Sequence, residues 1–392
     1  MINNRILYIT RTDPSLKGGG SKAEKSFIMA FHQLYPGKVD LIMADAIDTN
    51  HFDLPVKFYL VPSRNKISRF LSLLTGSLHR FRRYVMRFLS MNHEKYSLCV
   101  FGGSIIAGDL VDYVNSLGIR TVTIHHNYEK EYHLHNKTVE CFKGLFPYYV
   151  IRNERNAYLK SALNLFLTEQ DKNTFFHVYG PTKGLSKVRG VSEPDYEEEK
   201  IEKSTNRSNH ALTIVISGTM SSYQTKLGII DFYKNYYSIV KDIAPQARIT
   251  FTGRNPGMGL LKMVSNEQET MQMIPNPLNI DEVVRQGDIY LCPTHIGGGL
   301  KLRLMDGLKA GLPVLTHSVS ARGYDVFFDK PWFQVYNDKA SFQNGLTILM
   351  DGINKSRWSS MEIQKAYRDY FSFEAGVKRL EACLMELELS FP

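Results

Sequence analysis

The pattern of apolar and polar residues alternates between two periods along the first 190 residues. Short apolar runs with β-branched residues, such as RILYIT at 5–10, predict buried strands. The segment that follows this run, up to Leu34, has apolar residues at helical spacing. Strands that alternate with helices predict a parallel sheet with helices on its faces. Further strands are expected at 39–43, 57–61, 97–101, 120–125 and 163–167.

The alternation stops near residue 190 and resumes near residue 211. The segment 191–210 is polar and acidic and has few large apolar residues, which predicts a linker. The pattern therefore predicts two tandem, doubly wound α/β domains. Ligands of such sheets bind outside the carboxyl ends of the strands, so we expect the site in an interdomain cleft. The strands of the second domain are expected at 212–217, 248–252, 288–292 and 313–316.

Composition agrees with two globular domains, because 392 residues exceed one typical core and 43% of them are hydrophobic. The formal net charge of +9 is unevenly distributed. Residues 1–190 hold 26 Lys and Arg against 15 Asp and Glu, a net +11, whereas residues 191–392 hold 22 against 24, a net −2. The basic first half suggests an anionic surface or substrate on that side.

The cysteines and the apolar runs indicate a cytoplasmic protein. No CxxC pair occurs, so we expect reduced, mostly buried thiols. The first residues lack the pattern of a signal peptide. The sequence contains no run of about 18 apolar residues, so we expect no transmembrane helix. The four cysteines are Cys99, Cys141, Cys292 and Cys383.

The stretch 288–317 is expected to form a strand, a loop, a helix, a glycine break and a strand. Gly297–Gly299 fall where the first strand hands over to the helix, where backbone amides and the helix dipole favour an anion. Lys301 and Arg303 add cations, and Asp306 can accept hydrogen bonds from hydroxyl groups. A diphosphate joined to a sugar and a ribose would use all of these groups. A tight turn followed by a solvated basic helix start explains the same residues.

This stretch resembles the donor-site signature of GT-B glycosyltransferases, in particular family 4-like enzymes of bacterial polysaccharide assembly. That signature is a strand ending in Pro, then G-x-G-x-[RK]-x-K, two apolar residues, Glu-Ala, and later G-x-P-V-V. The resemblance implies that the amides of Gly297, Gly298, Gly299 and Leu300, with Lys301 and Arg303, hold the donor diphosphate. It also implies that Asp306 binds the ribose hydroxyls. The matching positions are Pro293, Gly297, Gly299, Lys301, Arg303, Asp306, Gly311, Pro313 and Val314.

Some positions depart from the family pattern. Two Glu residues eight apart are common in the family, but this chain has Gly298 and the shorter acid Asp306. The start of the second domain also resembles the family, and its donor-binding positions correspond to Gly218, Thr219 and Lys226. Thr219 stands where Arg is common, and a solvated surface lysine explains Lys226 equally well.

A second glycine triplet, Gly18, Gly19 and Gly20, follows the first predicted strand and begins a helix. It matches neither a Walker loop nor a dinucleotide fingerprint. The resemblance implies that these glycines face the donor diphosphate across the cleft, whereas a plain strand-to-helix turn would also use them.

Four histidines lie within 123–135. A metal site is disfavoured, because neither an HExxH motif nor a cysteine partner accompanies them. The resemblance implies that His126, followed by Asn127, reaches the sugar and assists at the reacting centre. His125 is the alternative, and a loop histidine without a role remains open.

Residues 54–93 contain eight basic residues and no acidic one, with apolar residues at helical spacing. This basic amphipathic segment would dock on an anionic membrane. The segment also fits a helix that packs on the first domain and exposes its basic face to solvent. Docking and packing are compatible if only part of the segment is buried. No nucleic-acid-binding signature is present, so we expect no nucleic acid partner.

The resemblance implies a GT-B architecture of two tandem Rossmann-like domains. Residues 1–190 would bind the acceptor, 211–370 would bind the nucleotide-sugar donor, and a C-terminal helix at 371–392 would cross back to the first domain. The enzyme would be a hexosyltransferase that moves sugar from a UDP- or GDP-sugar to a hydroxyl of a lipid-linked glycan, with retention. This reaction belongs to the assembly of capsule, O-antigen or exopolysaccharide.

Such an enzyme would act in the cytoplasm, peripherally on the inner face of the cell membrane. It would need no metal and no cofactor besides its nucleotide-sugar co-substrate. Two alternatives share the fold: a nucleotide-sugar 2-epimerase and a degenerate, non-catalytic GT-B partner protein. A dinucleotide oxidoreductase is disfavoured by the missing fingerprint.

Overall fold

The computed structural model describes residues 5–15, 19–44, 56–61, 79–131, 146–193 and 211–390. The chain divides into two compact units. Unit 1 comprises Met1–Tyr196 and Phe371–Pro392, and unit 2 comprises Glu197–Tyr370.

In the part of unit 1 that the structure describes, seven parallel strands form one sheet with the order β3-β2-β1-β4-β5-β6-β7. The central strands are almost entirely buried, as expected where helices cover both faces of a parallel sheet. The strands are β1 (Arg5–Thr10), β2 (Val39–Ala44), β3 (Lys57–Val61), β4 (Tyr96–Phe101), β5 (Arg120–His125), β6 (Leu163–Phe166) and β7 (Leu185–Val188).

Helices follow most of these strands. They are α1 (Gly19–Leu34), α2 (His79–Asn92), α3 (Ser104–Ser116), α4 (Phe146–Lys160) and α5 (Glu169–Tyr179). Helix α2 buries Phe81, Val85 and Leu89 in the unit 1 core, so this part of the basic segment packs on the domain. Residues 54, 55 and 62–78 of that segment lie outside the described residues.

Unit 2 contains a second parallel sheet, in which the described residues form six strands with the order β10-β9-β8-β11-β12-β13. These strands are β8 (Thr213–Thr219), β9 (Arg248–Arg254), β10 (Met271–Pro275), β11 (Ile289–Cys292), β12 (Val314–His317) and β13 (Phe333–Tyr336). The helices are α6 (Tyr223–Asn235), α7 (Tyr237–Ile243), α8 (Met258–Asn266), α9 (Ile280–Arg285), α10 (Leu304–Lys309), α11 (Lys339–Asn354) and α12 (Ser360–Phe371). Both sheets have the strand order of a Rossmann-like fold.

The last helix, α13 (Phe373–Ser390), belongs to unit 1 and packs on α1. Arg379 of α13 donates from Nε to the carbonyl oxygen of Arg189, at 2.8 Å. Arg189 is fully buried, and its guanidinium lies over the ring of Phe27 in α1, 4.3 Å from the ring centre. Burial, with the neighbouring charge of Arg379, lowers the pKa of Arg189 to about 9. The first and last segments of unit 1 therefore share one core.

Among the described residues, no helix has both the length and the apolar character needed to cross a membrane. Cys99, Cys292 and Cys383 are buried free thiols, and Cys141 lies outside the described residues.

Candidate functional site

The candidate site in unit 2 lies where β8 and β11 are neighbours at the centre of the sheet. The chain leaves these two strands toward opposite sides, which opens a crevice at their carboxyl ends. Gly218, near the end of β8, has a φ of 146°, a conformation that favours glycine. The Arg303 guanidinium lies where a side chain at 218 would be, with Nη1 3.2 Å from the position of a Cβ. The absence of a side chain at Gly218 thus allows the Arg303 guanidinium to pack against the end of β8.

The glycine loop after β11 depends on two residues in the left-handed region. Gly297 has a φ of 91° and Gly299 a φ of 69°. Gln224, in the first turn of α6, packs directly on Gly297, with its Cδ 2.6 Å from the position of a Cβ. A side chain at 297 would strain the backbone and would displace the side chain of Gln224.

The ammonium group of Lys301 is enclosed by this loop, since only 7% of the residue is exposed. Its Nζ donates to the carbonyl oxygen of Gly298 at 2.8 Å and to Oε1 of Gln224 at 3.2 Å. The hydroxyl of Tyr324 donates to the carbonyl oxygen of Lys301 at 2.9 Å. Lys301 is therefore not a solvated lysine at the start of a helix, because packing and hydrogen bonds set its position.

Asp306 lies in the short helix α10, which approaches β11 closely. Gly307 makes this approach possible, because a Cβ there would lie 2.6 Å from Cβ of Tyr290. Asp306 thereby reaches the end of β8, where Oγ of Ser217 donates to its Oδ2 at 3.0 Å. Its Oδ1 lies 3.8 Å from Nζ of Lys309. The carboxylate is 17% exposed, so hydroxyl groups of a ligand can still reach it.

The remaining predicted donor residues of unit 2 differ in burial. Gly298 is buried and Leu300 is half-buried in the loop. Thr219 ends β8 and is exposed, and Lys226 is exposed on α6. Arg303 donates from Nη1 to Oγ1 of Thr294 at 3.3 Å. The structure therefore brings Lys301, Arg303, Asp306 and the glycines together, and it leaves Lys226 on the surface.

In unit 1, β1 and β4 are neighbours at the centre of the sheet, and α1 begins after β1. Gly19 and Gly20 are the first residues of α1 and are exposed. Gly18, the other member of the predicted triplet, lies outside the described residues.

His126 follows the last residue of β5, and its side chain is 20% exposed. Its Nε2 donates to Oε2 of Glu24 in α1, at 3.0 Å. Desolvation by burial alone would lower the pKa of His126. The hydrogen bond and charge of Glu24, together with the charge of Glu129, outweigh that effect, so the pKa of His126 is raised above its ordinary value. The neighbouring carboxylates therefore stabilise the protonated imidazolium relative to the neutral ring.

The alternative, His125, is fully buried in the core of unit 1. Its Nε2 bonds to Oδ1 of Asn164 at 2.9 Å, and its ring stacks on Phe166. Burial lowers the pKa of His125 to about 3, which keeps the ring neutral. His125 is a core residue that does not face a ligand.

The described residues contain no group of three or more His, Cys, Asp or Glu side chains able to hold a metal ion. His133 and His135 lie outside the described residues.

Two residues of these sites were absent from the sequence predictions: Glu24 and Gln224. Glu24 carried a visible signal, because it falls between Ala23, Phe27 and Ile28 on the apolar face of α1. A carboxylate among buried residues requires a partner. Gln224 carried no such signal, since its contact is with a loop distant in sequence.

The chain resembles known proteins in its fold and not in its sequence. No protein-family model matches the chain, and no curated protein matches it either. The structure of Anabaena Alr3699/HepE in complex with UDP is 11% identical and covers 97% of this chain and 100% of that one, with a TM-score of 0.67. The apo form of the lipopolysaccharide outer core galactosyltransferase WaaB is 11% identical and covers 97% and 99%, with a TM-score of 0.70.

Sucrose-phosphate synthase from Thermosynechococcus elongatus is likewise 11% identical, covers 98% of this chain and 100% of that one, and has a TM-score of 0.67. At this identity the likeness concerns the fold. The two Rossmann-like units and these neighbours show that the chain has the GT-B fold of glycosyltransferases.

Proposed function

We propose that the chain is a hexosyltransferase that uses a nucleoside diphosphate sugar as its donor. The buried ammonium of Lys301, set in the loop of Gly297–Gly299 beside Arg303, carries this proposal. Two cations and the backbone amides of a glycine loop at the carboxyl edge of a parallel sheet fit a diphosphate. Two proteins of the same fold support the proposal, because HepE binds UDP and WaaB is a galactosyltransferase.

Each residue of the unit 2 site has a proposed role. Lys301, Arg303 and the loop amides stabilise the negative charge that develops on the leaving diphosphate. Asp306 accepts hydrogen bonds from the ribose hydroxyls, because its carboxylate is 17% exposed at the end of β8. Gly218 and Thr219 at the end of β8 contact the same donor. For unit 1, we propose that Gly18, Gly19 and Gly20 contact the donor and that His126 contacts the sugar.

We propose that transfer proceeds with retention. Gly298 offers no carboxylate where the family signature has Glu, so a covalent sugar–carboxylate intermediate is disfavoured at that position. Departure and attack then take place on the same face of the sugar. The bond from the anomeric carbon to the diphosphate breaks, the acceptor oxygen forms its bond to that carbon, and the acceptor proton passes to the leaving diphosphate. Since Lys301 and Arg303 supply positive charge, no metal ion or further cofactor is needed.

The acceptor is proposed to be a hydroxyl group of a lipid-linked glycan of surface polysaccharide, such as capsule or O-antigen. The basic character of residues 1–190 supports contact with an anionic membrane at its inner face. In α2 the apolar residues are buried in the unit 1 core, so the arginines on its exposed side would make that contact.

A thermal-shift panel tests the donor site. Wild type, Lys301→Ala and the control Lys262→Ala, an exposed lysine of α8, are each titrated with UDP, GDP, CDP, ADP and NAD. Stabilisation by one nucleoside diphosphate is expected in wild type and in the control. In Lys301→Ala the affinity should fall at least about 10-fold, because a charge-assisted hydrogen bond contributes about 1.5–3 kcal/mol. Stabilisation by NAD alone would refute a nucleotide-sugar site.

Product analysis distinguishes the alternatives that share the fold. Incubation with the matching nucleotide sugar should release the free nucleoside diphosphate slowly by hydrolysis. Conversion to a second nucleotide sugar without loss of the diphosphate would identify a 2-epimerase. Binding with no turnover on any donor that stabilises the protein would identify a non-catalytic partner protein.

A further inference from the structure

A buried ion pair in unit 1 carries an inference about how His126 works. We propose that Glu24 is a positioning residue that fixes the imidazole of His126 as a cation, so that His126 acts as a positive charge and not as a base. The catalytic part of this inference rests on the proposed function, whereas the state of the histidine does not.

Three parts of unit 1, one helix and the ends of two strands, form the site of this ion pair. Glu24 comes from α1, His126 follows β5, and Gly102 follows β4. Glu24 has no exposed surface, and its Oε2 accepts the hydrogen bond of His126 Nε2 at 3.0 Å. A buried carboxylate is costly unless it is paired, and here the charged histidine is its ion-pair partner.

Gly102 provides the space for the Glu24 carboxylate. A Cβ at position 102 would lie 2.7 Å from Cδ of Glu24 and would overlap its Oε1. Even an alanine at 102 would therefore displace the carboxylate from His126. The backbone of Gly102 does not have a positive φ, so space and not conformation requires glycine there.

Glu24 also sets the orientation of the histidine ring. In the part of the chain that the structure describes, Nδ1 of His126 has no hydrogen-bond partner, so the contact from Nε2 to Glu24 is the polar contact that orients the ring. The ring of Phe27 packs edge-on against it, with centroids 6.4 Å apart. An apolar wall on one side and a carboxylate on the other allow one ring orientation.

The groups that face this histidine favour its charged form. The carboxylates are Glu24 on α1 and Glu129 in the segment after β5. Tyr8 on β1 lies near Glu24, with Arg189 beyond it, and the neighbouring His125 is neutral. The hydrogen bond and charge of Glu24, together with the charge of Glu129, outweigh the cost of desolvation, so the pKa of His126 is raised. An imidazolium has no free lone pair and cannot accept a proton, which excludes a role as general base.

Substitutions separate charge from hydrogen bonding. Glu24→Gln keeps the size and an acceptor oxygen but removes the charge, so desolvation should then lower the pKa of His126. Glu24→Asp keeps the charge and should restore much of the effect. Gly102→Ala leaves Glu24 and His126 unsubstituted, but its Cβ displaces the Glu24 carboxylate. Glu169→Gln, an exposed glutamate of α5, is the matched control.

The test is the titration of His126 in full-length protein by NMR of labelled histidine, with the signal assigned through His126→Gln. In Glu24→Gln and Gly102→Ala the pKa should fall by at least about 1 unit, the size of shift that a close opposite charge produces. It should stay unchanged in Glu169→Gln. An unchanged His126 titration in folded Glu24→Gln, with native melting behaviour, would overturn the inference.

The pH profile of donor hydrolysis tests the catalytic part. In wild type, kcat/KM should fall as pH rises through the pKa of His126, and in Glu24→Gln this fall should move to lower pH by the NMR shift, with the donor KM unchanged. Shifted NMR titration with an unshifted rate profile would overturn the catalytic role. Absence of hydrolysis by wild type would instead count against the proposed function, and the NMR result would still decide the ion pair.

Discussion

Glu154 of α4 is a buried carboxyl group that holds the segment after β5 in place. Its Oε2 accepts a hydrogen bond from the backbone N–H of Glu129 at 2.8 Å, and its Oε1 accepts one from the hydroxyl of Tyr179 at 2.7 Å. Burial raises the pKa of Glu154 to about 8, although these two hydrogen bonds act in the opposite direction. At neutral pH the folded protein therefore keeps Glu154 protonated, beside the chain segment that bears His126.

This shift predicts a stability that falls as pH rises. Between the ordinary glutamate pKa of about 4.3 and the folded value of about 8, the unfolded chain ionises Glu154 while the folded chain stays protonated. The free energy of unfolding should decrease across that window in wild type, and the decrease should be smaller in Glu154→Gln. Urea unfolding at pH 5, 6.5 and 8 measures the difference. Equal pH dependence in both proteins would contradict the buried, protonated state.

The two adjacent histidines, His125 and His126, show which features of the candidate site could be predicted from the sequence. Strand β5 ends at His125, whose side chain points into the core, so the next residue is the first that can leave the sheet. The resemblance pointed to His126, and its partial exposure agrees with a site position, while its role remains a prediction. Its partner Glu24 could not be predicted, because a contact between residues 102 positions apart is set by how α1 packs beside β4 and β5.

Helix α2 illustrates the division of one amphipathic element between a core and a charged surface. Phe81, Val85 and Leu89 are buried, and Arg83 and Arg87 are exposed one helical turn apart. Arg82 is only partly exposed, with Nε 3.7 Å from Oδ1 of Asp109. The sequence left two interpretations open, packing and membrane docking. Packing is observed for this helix, so any docking by α2 must rely on charge and not on insertion.

Electrostatic docking predicts a specific loss in the double variant Arg83→Gln, Arg87→Gln. Binding to vesicles that contain anionic lipid should fall about 30-fold at low salt, because each cation near such a surface contributes about 1 kcal/mol. Flotation with anionic and with neutral vesicles measures this. Lys262→Gln, Lys339→Gln removes the same charge from unit 2 and should bind like wild type. Equal binding of wild type to both kinds of vesicle would argue against docking by charge.

The strands that the sequence failed to predict are edge strands. The ten predicted strands include every central one, because buried parallel strands are continuous apolar runs. The three that were missed, β7, β10 and β13, each lie at the edge of a sheet. Each contains residues that are only partly buried, and polar residues such as Ser186, Lys187 and Gln272 interrupt the apolar pattern. An edge strand is determined by its neighbour more than by its own composition.

At the scale of the whole molecule, the fold resembles that of HepE and WaaB although the sequences differ at most positions. The chain keeps the GT-B fold over 97% of its length at 11% identity to HepE and WaaB. What the chain shares with them at this identity is the fold, two parallel sheets covered by helices. Unit 1 also depends on a segment that returns from the far end of the chain, since α13 packs on α1.

Gly376 of α13 tests how strongly that returning helix is required. Alanine in a helix is normally favoured over glycine by about 0.8–1 kcal/mol. Here a Cβ would lie 2.5 Å from Cβ of Ser192 and 3.0 Å from Nη2 of the buried Arg189, and such overpacking costs about 1–3 kcal/mol. Gly259 of α8 has open space around it, so its replacement should be neutral or stabilising. Urea unfolding should therefore give opposite signs for Gly376→Ala and Gly259→Ala. If both variants are stabilised, helix propensity outweighs packing, and α13 does not depend on its fit against the segment of Arg189 and Ser192.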